Sequence, residues 1–431
     1  MEKRALFLLL ALLLTFPART LADQPQAEAS ESIEERLERL EKELDQLRTE
    51  HEAEIRALEE KLEKKEEEIA RQGSPHQAQP VGNWGIMNPS ISAIADIQAL
   101  FTNDEENDNR NKIRVKEVEF AFQGYLYPGI RADVIPALEM EYEGDDVNVE
   151  IDLEEAYLTL SPIPWVGDYA PLGLQLGRKY MNFGVLNAIH PHHWPFADTP
   201  LVLESFFGEH NWFDDGIQGF VNIPNPWDLY LKTTFGYWNG KDLGHTHAHG
   251  DEGHEGEEEA HEHAGPVDWD GRVFLSRSVL GLPFSRTSDL LLGASVSWDE
   301  SGNTSLVGGD FTFIHRFPGT YHRLKWQNEF MAADTETEGE EFTRYGGYSL
   351  LAFSLGRYWE TGARYDRSQI LDPLVSDDPW ASTGFITYYL THSLYLRGQY
   401  RYRSGVEEED EHNGYLQAVF GLGPHAHRLE N

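Results

Sequence analysis

The sequence predicts an all-β protein, a transmembrane antiparallel β-barrel of about sixteen strands, preceded by a signal peptide and an α-helical coiled coil. Three observations predict it. Beyond Trp84 the apolar residues recur with a period of two. The links between the predicted strands alternate between long polar segments and compact turns. Only the N-terminus carries a continuous apolar run, and that run is shorter than the ~20 residues a spanning helix needs, which excludes an α-helical membrane protein.

The first residues read as an address. Lys3 and Arg4 precede the apolar run from Ala5 to Phe16, and small residues near Ala22 allow cleavage, so 1–22 is predicted to be a secretory signal peptide. Export would place the rest outside the cytoplasm. There is no cysteine, so neither a disulfide nor a lipid-modified cysteine is available.

From 31 to 72 the composition shifts to Glu, Lys, Arg and Leu. Ile33, Leu37, Leu40, Leu44 and Leu47 alternate by four and three, and the stripe resumes at Ile55, Leu58, Leu62 and Ile69 after a stutter. One such helix can bury little alone, so self-association is expected in the periplasm; a solitary charged helix is the alternative. A linker with two prolines, 73–83, separates it from the barrel, predicted over 84–425.

Within the barrel, residues 130–142 place Ala132, Val134, Pro136, Leu138, Met140 and Tyr142 on one face and Arg131, Asp133, Glu139 and Glu141 on the other. Leu394, Leu396, Gly398, Tyr400 and Tyr402 alternate in the same way with Arg397, Gln399, Arg401 and Arg403. One apolar and one charged face fit lipid outside and water inside. Long polar links are expected at 103–112, 184–216, 240–270, 334–342, 368–379 and 404–413, with compact ones at 127–130, 223–226, 317–320 and 390–392. Short external turns at 144–146 and 301–303 keep the parity, and 161–171 is a longer periplasmic link. Aromatics near strand ends, such as Tyr125, Tyr127, Tyr237, Trp238, Tyr358, Trp359, Tyr388 and Tyr389, are expected to form an interfacial girdle.

The formal charge of -39 argues against nucleic acid, whose phosphates it would repel, and suits a surface that meets cations. The sequence carries no Gly-rich phosphate loop and no His-Glu-x-x-His motif, so no enzyme is expected.

The layout of signal peptide, coil and barrel resembles the phosphate-selective porin O and P family, whose members are trimeric anion pores. The block from Leu186 through His190, Pro191, His192, His193, Trp194, Pro195 and Phe196 to Asp198 is followed by Glu204, Phe206, Phe207, Gly208, Glu209 and Asp214. With the His-rich stretch beyond, it more narrowly resembles porin-like outer-membrane barrels regarded as zinc-regulated. That resemblance implies the Gram-negative outer membrane, contact with its lipid, a homotrimer and a link to zinc or another divalent metal, with no required cofactor. Barrels of this kind commonly finish on an aromatic, whereas here the chain continues past Phe420 to Asn431.

Three groups of residues are candidates for function. His245, His247, His249, His254, His261 and His263 lie among seven acidic residues and no basic one, a composition for exchangeable dication capture or for a solvated acidic loop. In large porins the third external link folds into the pore. By that comparison His190, His192, His193, Asp198, Glu204, Glu209, His210 and Asp214 are expected at a constriction, holding metal or solute or belonging to a packed plug. Glu117, Glu119, Arg131, Asp133, Glu139 and Glu141 on early strands, and Arg364, Arg397, Arg401 and Arg403 on late ones, are the predicted pore lining. They would set a field across the lumen or pair as structural salt bridges. The late strands lack the uninterrupted basic ladder of a phosphate pore. The expected activity is therefore passive diffusion of small hydrophilic solutes or ions; the alternative is a structural protein whose coil contacts periplasmic partners.

Overall fold

The structure, a computed structural model, describes residues 89–105, 107–143, 146–163, 172–208, 211–240, 267–337, 340–369, 378–405 and 410–423. The chain divides into Met1–Val81 and Gly82–Asn431. The predicted signal peptide, coil and linker lie outside the described residues, as do Glu209, His210 and the histidines from His245 to His263.

The expected sixteen strands are present. They are β1 (Ser90–Thr102), β2 (Lys112–Tyr127), β3 (Ile130–Glu143), β4 (Asp146–Leu160), β5 (Leu172–Tyr180), β6 (Phe213–Asn222), β7 (Tyr230–Trp238) and β8 (Val273–Ser285). The second half comprises β9 (Ser288–Asp299), β10 (Thr304–Arg316), β11 (Arg323–Thr337), β12 (Glu340–Leu355), β13 (Trp359–Ser368), β14 (Trp380–Thr391), β15 (Leu394–Ser404) and β16 (Glu411–Leu422). Each pairs antiparallel with its sequence neighbours, and β1 pairs with β16 from Ala93↔Leu422 to Thr102↔Asn413, closing the barrel. Closure satisfies the backbone without leaving a sheet edge, which is what permits strands to span hydrocarbon.

The period-two pattern decides which face is which. On β3, Asp133 is 2% exposed and Val134 40%. On β15, Arg397 and Arg401 are buried while Leu396 and Tyr400 stand outside. Around the ring, Ile151, Leu176, Phe235, Val307, Phe330, Leu351, Ile386 and Leu416 present an exposed apolar exterior. This is the surface of a transmembrane barrel rather than of a soluble one.

The structure differs from the expectation in three places. The 334–342 segment is not a long link: β11 and β12 continue to the pair Thr337↔Glu340, because Thr335, Thr337 and Phe342 are strand formers although the segment is polar. Adjacent aromatics cannot all join a girdle, since consecutive residues face opposite ways. Tyr127, Tyr358 and Trp359 are exposed at strand ends, but Trp238 is 1% exposed inside the barrel and Tyr389 turns its hydroxyl toward Glu360.

The third difference is the interior, which is not uniformly polar. Trp238, Val273, Leu275, Leu306, Met331, Leu350 and Phe385 face inward from the middle and late strands. They pack against Met181, Phe183, Leu186, Trp194, Phe206, Phe207 and Trp212 of the β5–β6 link. The wall from β7 to β14 is thus built in part to receive a folded insert.

Candidate functional site

The β5–β6 link, 181–212, enters the barrel, as expected for the third external link. At its neck Asn187 ties the two ends together: Nδ2 donates to the carbonyls of Met181 (2.8 Å) and Trp212 (2.9 Å), and Oδ1 accepts from the Trp212 amide (2.7 Å). Gly184 makes the inward turn at φ 65°, where a Cβ would lie 1.4 Å from Glu329 Oε1, so only glycine fits. Pro191 starts a single 3-10 turn, Pro191–His193. Pro200 precedes a short helix, α1 (Leu201–Phe207), which ends at Gly208 with φ 80°. The side chain that caps α1 comes from the wall, with Asp366 Oδ1 accepting from the Leu201 amide at 2.9 Å.

On one side the link meets an acidic wall. The registers Asp96↔Glu117, Glu117↔Glu139 and Glu139↔Glu150 set four carboxylates side by side across β1 to β4. Like charges directly opposite one another are unfavourable, so this wall calls for cations. One level away are Glu119, Glu154 and Glu155, all buried. Glu154 and Glu155 both reach the interior because β4 bulges opposite Pro136: Ile135 pairs with Glu155 and Pro136 with Leu153, leaving Glu154 as the extra residue. Proline has no N–H for the ladder, and a bulge is where a strand accommodates it.

His190 docks on this group. Its Nδ1 lies 2.9 Å from Glu119 Oε2 and 3.3 Å from Glu154 Oε2, and its Nε2 lies 3.4 Å from Glu155 Oε2. Burial alone would lower the basicity of His190, but the carboxylates of Glu119 and Glu154 reverse this and hold its pKa well above the ordinary imidazole value. His192 Nδ1 is 3.5 Å from the same Glu119 oxygen, and its Nε2 is 3.1 Å from His193 Nε2.

On the other side the link meets a basic wall. Arg364 Nη2 reaches Asp198 Oδ2 at 2.6 Å while its Nε holds Asp366 at 2.7 Å, and Arg401 approaches Asp198 Oδ2 at 3.3 Å. Gln399 donates to Asp198 Oδ1 and accepts from the Ala197 amide at 2.8 Å. Arg403 pairs with Glu204 at 3.2 Å, and Arg397 donates to the Trp194 carbonyl at 2.8 Å. Burial tends to raise the Asp198 pKa, but Arg364 and Arg401 outweigh it and hold the carboxyl below its usual range.

The predicted residues therefore fall into distinct places. His190, His192 and His193 face the acidic wall; Asp198 and Glu204 face the basic one. Asp214 stands apart at the start of β6, where it accepts from the Gly240 amide at 2.7 Å. Of the predicted pore lining, Glu117, Glu119, Asp133, Arg364, Arg397 and Arg401 point inward but are buried, several of them directly beneath the link. Arg131, Glu139 and Arg403 remain partly exposed; Arg131 pairs with Asp133 at 2.6 Å. Only the backbone of Glu141 is described. The link thus carries imidazoles to carboxylates and carboxylates to guanidiniums, consistent with a built dock rather than with repulsion relieved by solvent.

No family model matches the chain. Over 254 residues, half of this chain, it is 25% identical to an uncharacterized protein of Aquifex aeolicus (strain VF5). The chain covers 47% of that curated relative. Among solved structures, the anion-selective porin from Comamonas acidovorans is 12% identical with a TM-score of 0.48, covering 78% of this chain and 99% of its own. The outer membrane channel DcaP of Acinetobacter baumannii is 9% identical with a TM-score of 0.48, covering 78% and 96%. A loop-deletion mutant of OmpT from Vibrio cholerae is 9% identical with a TM-score of 0.47, covering 78% and 99%. These likenesses are of architecture alone. What the structure itself shows is a closed, antiparallel 16-stranded barrel.

The sequence reading missed Glu154, Glu155, Asp366 and Gln399, all of which hold the link. Pro136 within a predicted strand and the adjacent glutamates at 154 and 155 were the available signals for a bulge. The inward facing of Gln399 was readable from the alternation, but nothing local marks its partner or that of Asp366, since both roles depend on contacts more than 160 residues away along the chain.

Proposed function

We propose that the protein is an outer-membrane channel of Gram-negative type for passive diffusion of small hydrophilic solutes or ions, with the inserted link setting the width of the path. The observation that carries this reading is the link's position inside a closed barrel, between walls of opposite charge. The partly exposed Arg131, Glu139 and Arg403 mark the polar inner surface left to water. A homotrimer is part of the proposal and rests on the family resemblance, with the N-terminal heptads supporting self-association only; capture of divalent metal by His245 to His263 at the outer mouth rests on composition alone.

The apolar packing of the link favours a second reading, a closed barrel serving as the anchor of a structural protein. Planar-bilayer recordings with the purified full-length protein separate the two. Stepwise conductance is expected, increasing when residues 186–208 are replaced by a short Gly-Ser linker. Silence of the native protein, with conductance only after that replacement, would reject the channel and support the anchor.

A further inference from the structure

We propose that Glu119, His190 and His192, with Glu154 beside them, form a binding site for one borderline first-row divalent cation of the zinc class, placed between the inserted link and the acidic wall. The proposal goes beyond diffusion and does not depend on whether the barrel conducts.

Three candidate ligand atoms, from Glu119, His190 and His192, stand near coordination spacing. Four ligands about 2.1 Å from a tetrahedral ion lie about 3.4 Å from one another. Here His190 Nδ1 is 2.9 Å from Glu119 and 3.3 Å from Glu154, and His192 Nδ1 is 3.5 Å from Glu119. One candidate atom from each of Glu119, His190 and His192 falls within 4.8 Å of the others. The groups are built in rather than displayed: Glu119 is 1% exposed, His192 2% and Glu154 4%.

A second observation points to a ligand. Oε1 of Glu119 is buried with no hydrogen-bond partner among the described residues, while Glu119 Oε2 and Glu154 Oε2 face only the imidazoles of His190 and His192. Their outer partners, by contrast, are in place. Tyr180 donates its hydroxyl to Glu154 Oε1, and Glu155 faces His190 Nε2 at 3.4 Å. His193 faces His192 Nε2. A carboxylate behind a ligating imidazole fixes its tautomer and raises its basicity.

Charge and donor type narrow the ion. Glu117, Glu119, Glu154 and Glu155 bring four carboxylates to two imidazoles, and a dication compensates more of that charge than a protonated His190 does. Of the nearby cations, Arg178 pairs with Asp215 at 2.8 Å, whereas Lys179, which donates to the neutral Gln175 at 2.8 Å, and Lys116, within electrostatic reach of Glu117, offset part of the charge. Two nitrogen donors disfavour magnesium and calcium, and the absence of thiolate disfavours copper(I). A bound ion would join the link to β2 and β4, so metal would strengthen docking of the insert.

The test uses full-length protein in detergent with the six histidines from His245 to His263 replaced by serine, so that they contribute no binding. Cobalt(II) is expected to bind at one equivalent with the visible absorption of a tetrahedral site, and zinc(II) to displace it. Glu119→Gln and His192→Asn should each weaken binding by about tenfold or more, and Glu155→Gln by about 10 to 100-fold as an outer partner. Absence of the tetrahedral spectrum, or a spectrum and affinity unchanged in all three variants, overturns the proposal. Anomalous scattering from zinc-soaked crystals of the unaltered protein decides the matter independently of any variant's folding. A peak between Glu119 and His192 supports the site; zinc bound elsewhere with no peak there overturns it.

Discussion

Replacing Asp198 with alanine is expected to release the inserted link from the basic wall, at a cost of about 3 to 5 kcal/mol in docking free energy. The size follows from what remains. Asp198 is 5% exposed and faces Arg364 and Arg401, which are 1% and 5% exposed, so the substitution leaves two guanidiniums buried with one acceptor fewer. It also removes the acceptor of the Gln399 amide group. At about 1.4 kcal/mol per factor of ten, the docked-to-undocked ratio falls by about two to three and a half orders of magnitude. Single-channel conductance should rise and become noisy, and protease should cut between 186 and 208. Arg364→Met should act in the same direction by stranding Asp366. The double variant should cost less than the sum of the singles, because both remove the same contact. Additive effects would show that Asp198 and Arg364 do not meet.

Acid should imitate the substitution. The Asp198 pKa is depressed in the docked state, so its contribution is present above the ordinary carboxylate value and is lost as pH falls through the depressed one. Conductance noise attributable to Asp198 is therefore expected only in strongly acidic solution. In the Asp198→Ala protein that noise should already be present at neutral pH.

Trp212→Ala is the second large effect expected, about 3 to 5 kcal/mol from lost packing and the cavity left behind. Trp212 is fully buried; it stacks on Trp269 with ring centroids 5.0 Å apart and touches Phe207 at 5.4 Å and Phe183 at 6.2 Å. These rings join the link, the β7–β8 connection and the apolar part of the wall into one cluster. The indole N–H finds no acceptor among the described residues. Trp212→Phe should accordingly be much milder, since removing an unsatisfied buried donor offsets part of the lost contact. Differential scanning calorimetry of the detergent-solubilised protein checks both. A strand signal retained to higher temperature than the tryptophan fluorescence change would show that the insert undocks before the barrel unfolds.

How much of this was legible in the sequence depends on the range of the forces involved. Strand count, facing and most link positions were readable because period two and turn chemistry are local, as the alternation of Asp133 with Val134 shows. The entry of 181–212 into the lumen came from family resemblance. Its docking partners were not legible, because Arg364 and Arg401 are set side by side by the registers Arg364↔Thr383 and Thr383↔Arg401, and meet Asp198 only through a contact spanning 166 positions of sequence. The apolar part of the interior was missed for a related reason. Val273, Leu275 and Leu306 occupy inward positions where a water-filled lumen would place polar residues, and only the insert explains them.

The cysteine-free sequence permits one direct measurement of the insert's position. The hydroxyls of Ser205 on α1 and Ser368 on β13 are in contact across 163 positions of sequence, so a Ser205→Cys, Ser368→Cys protein should form a disulfide in intact outer membranes under mild oxidation. The bond should appear as an electrophoretic shift reversed by reductant and absent from either single variant. Two free thiols, each labelled by a membrane-impermeant reagent under the same conditions, would contradict a link docked inside the barrel.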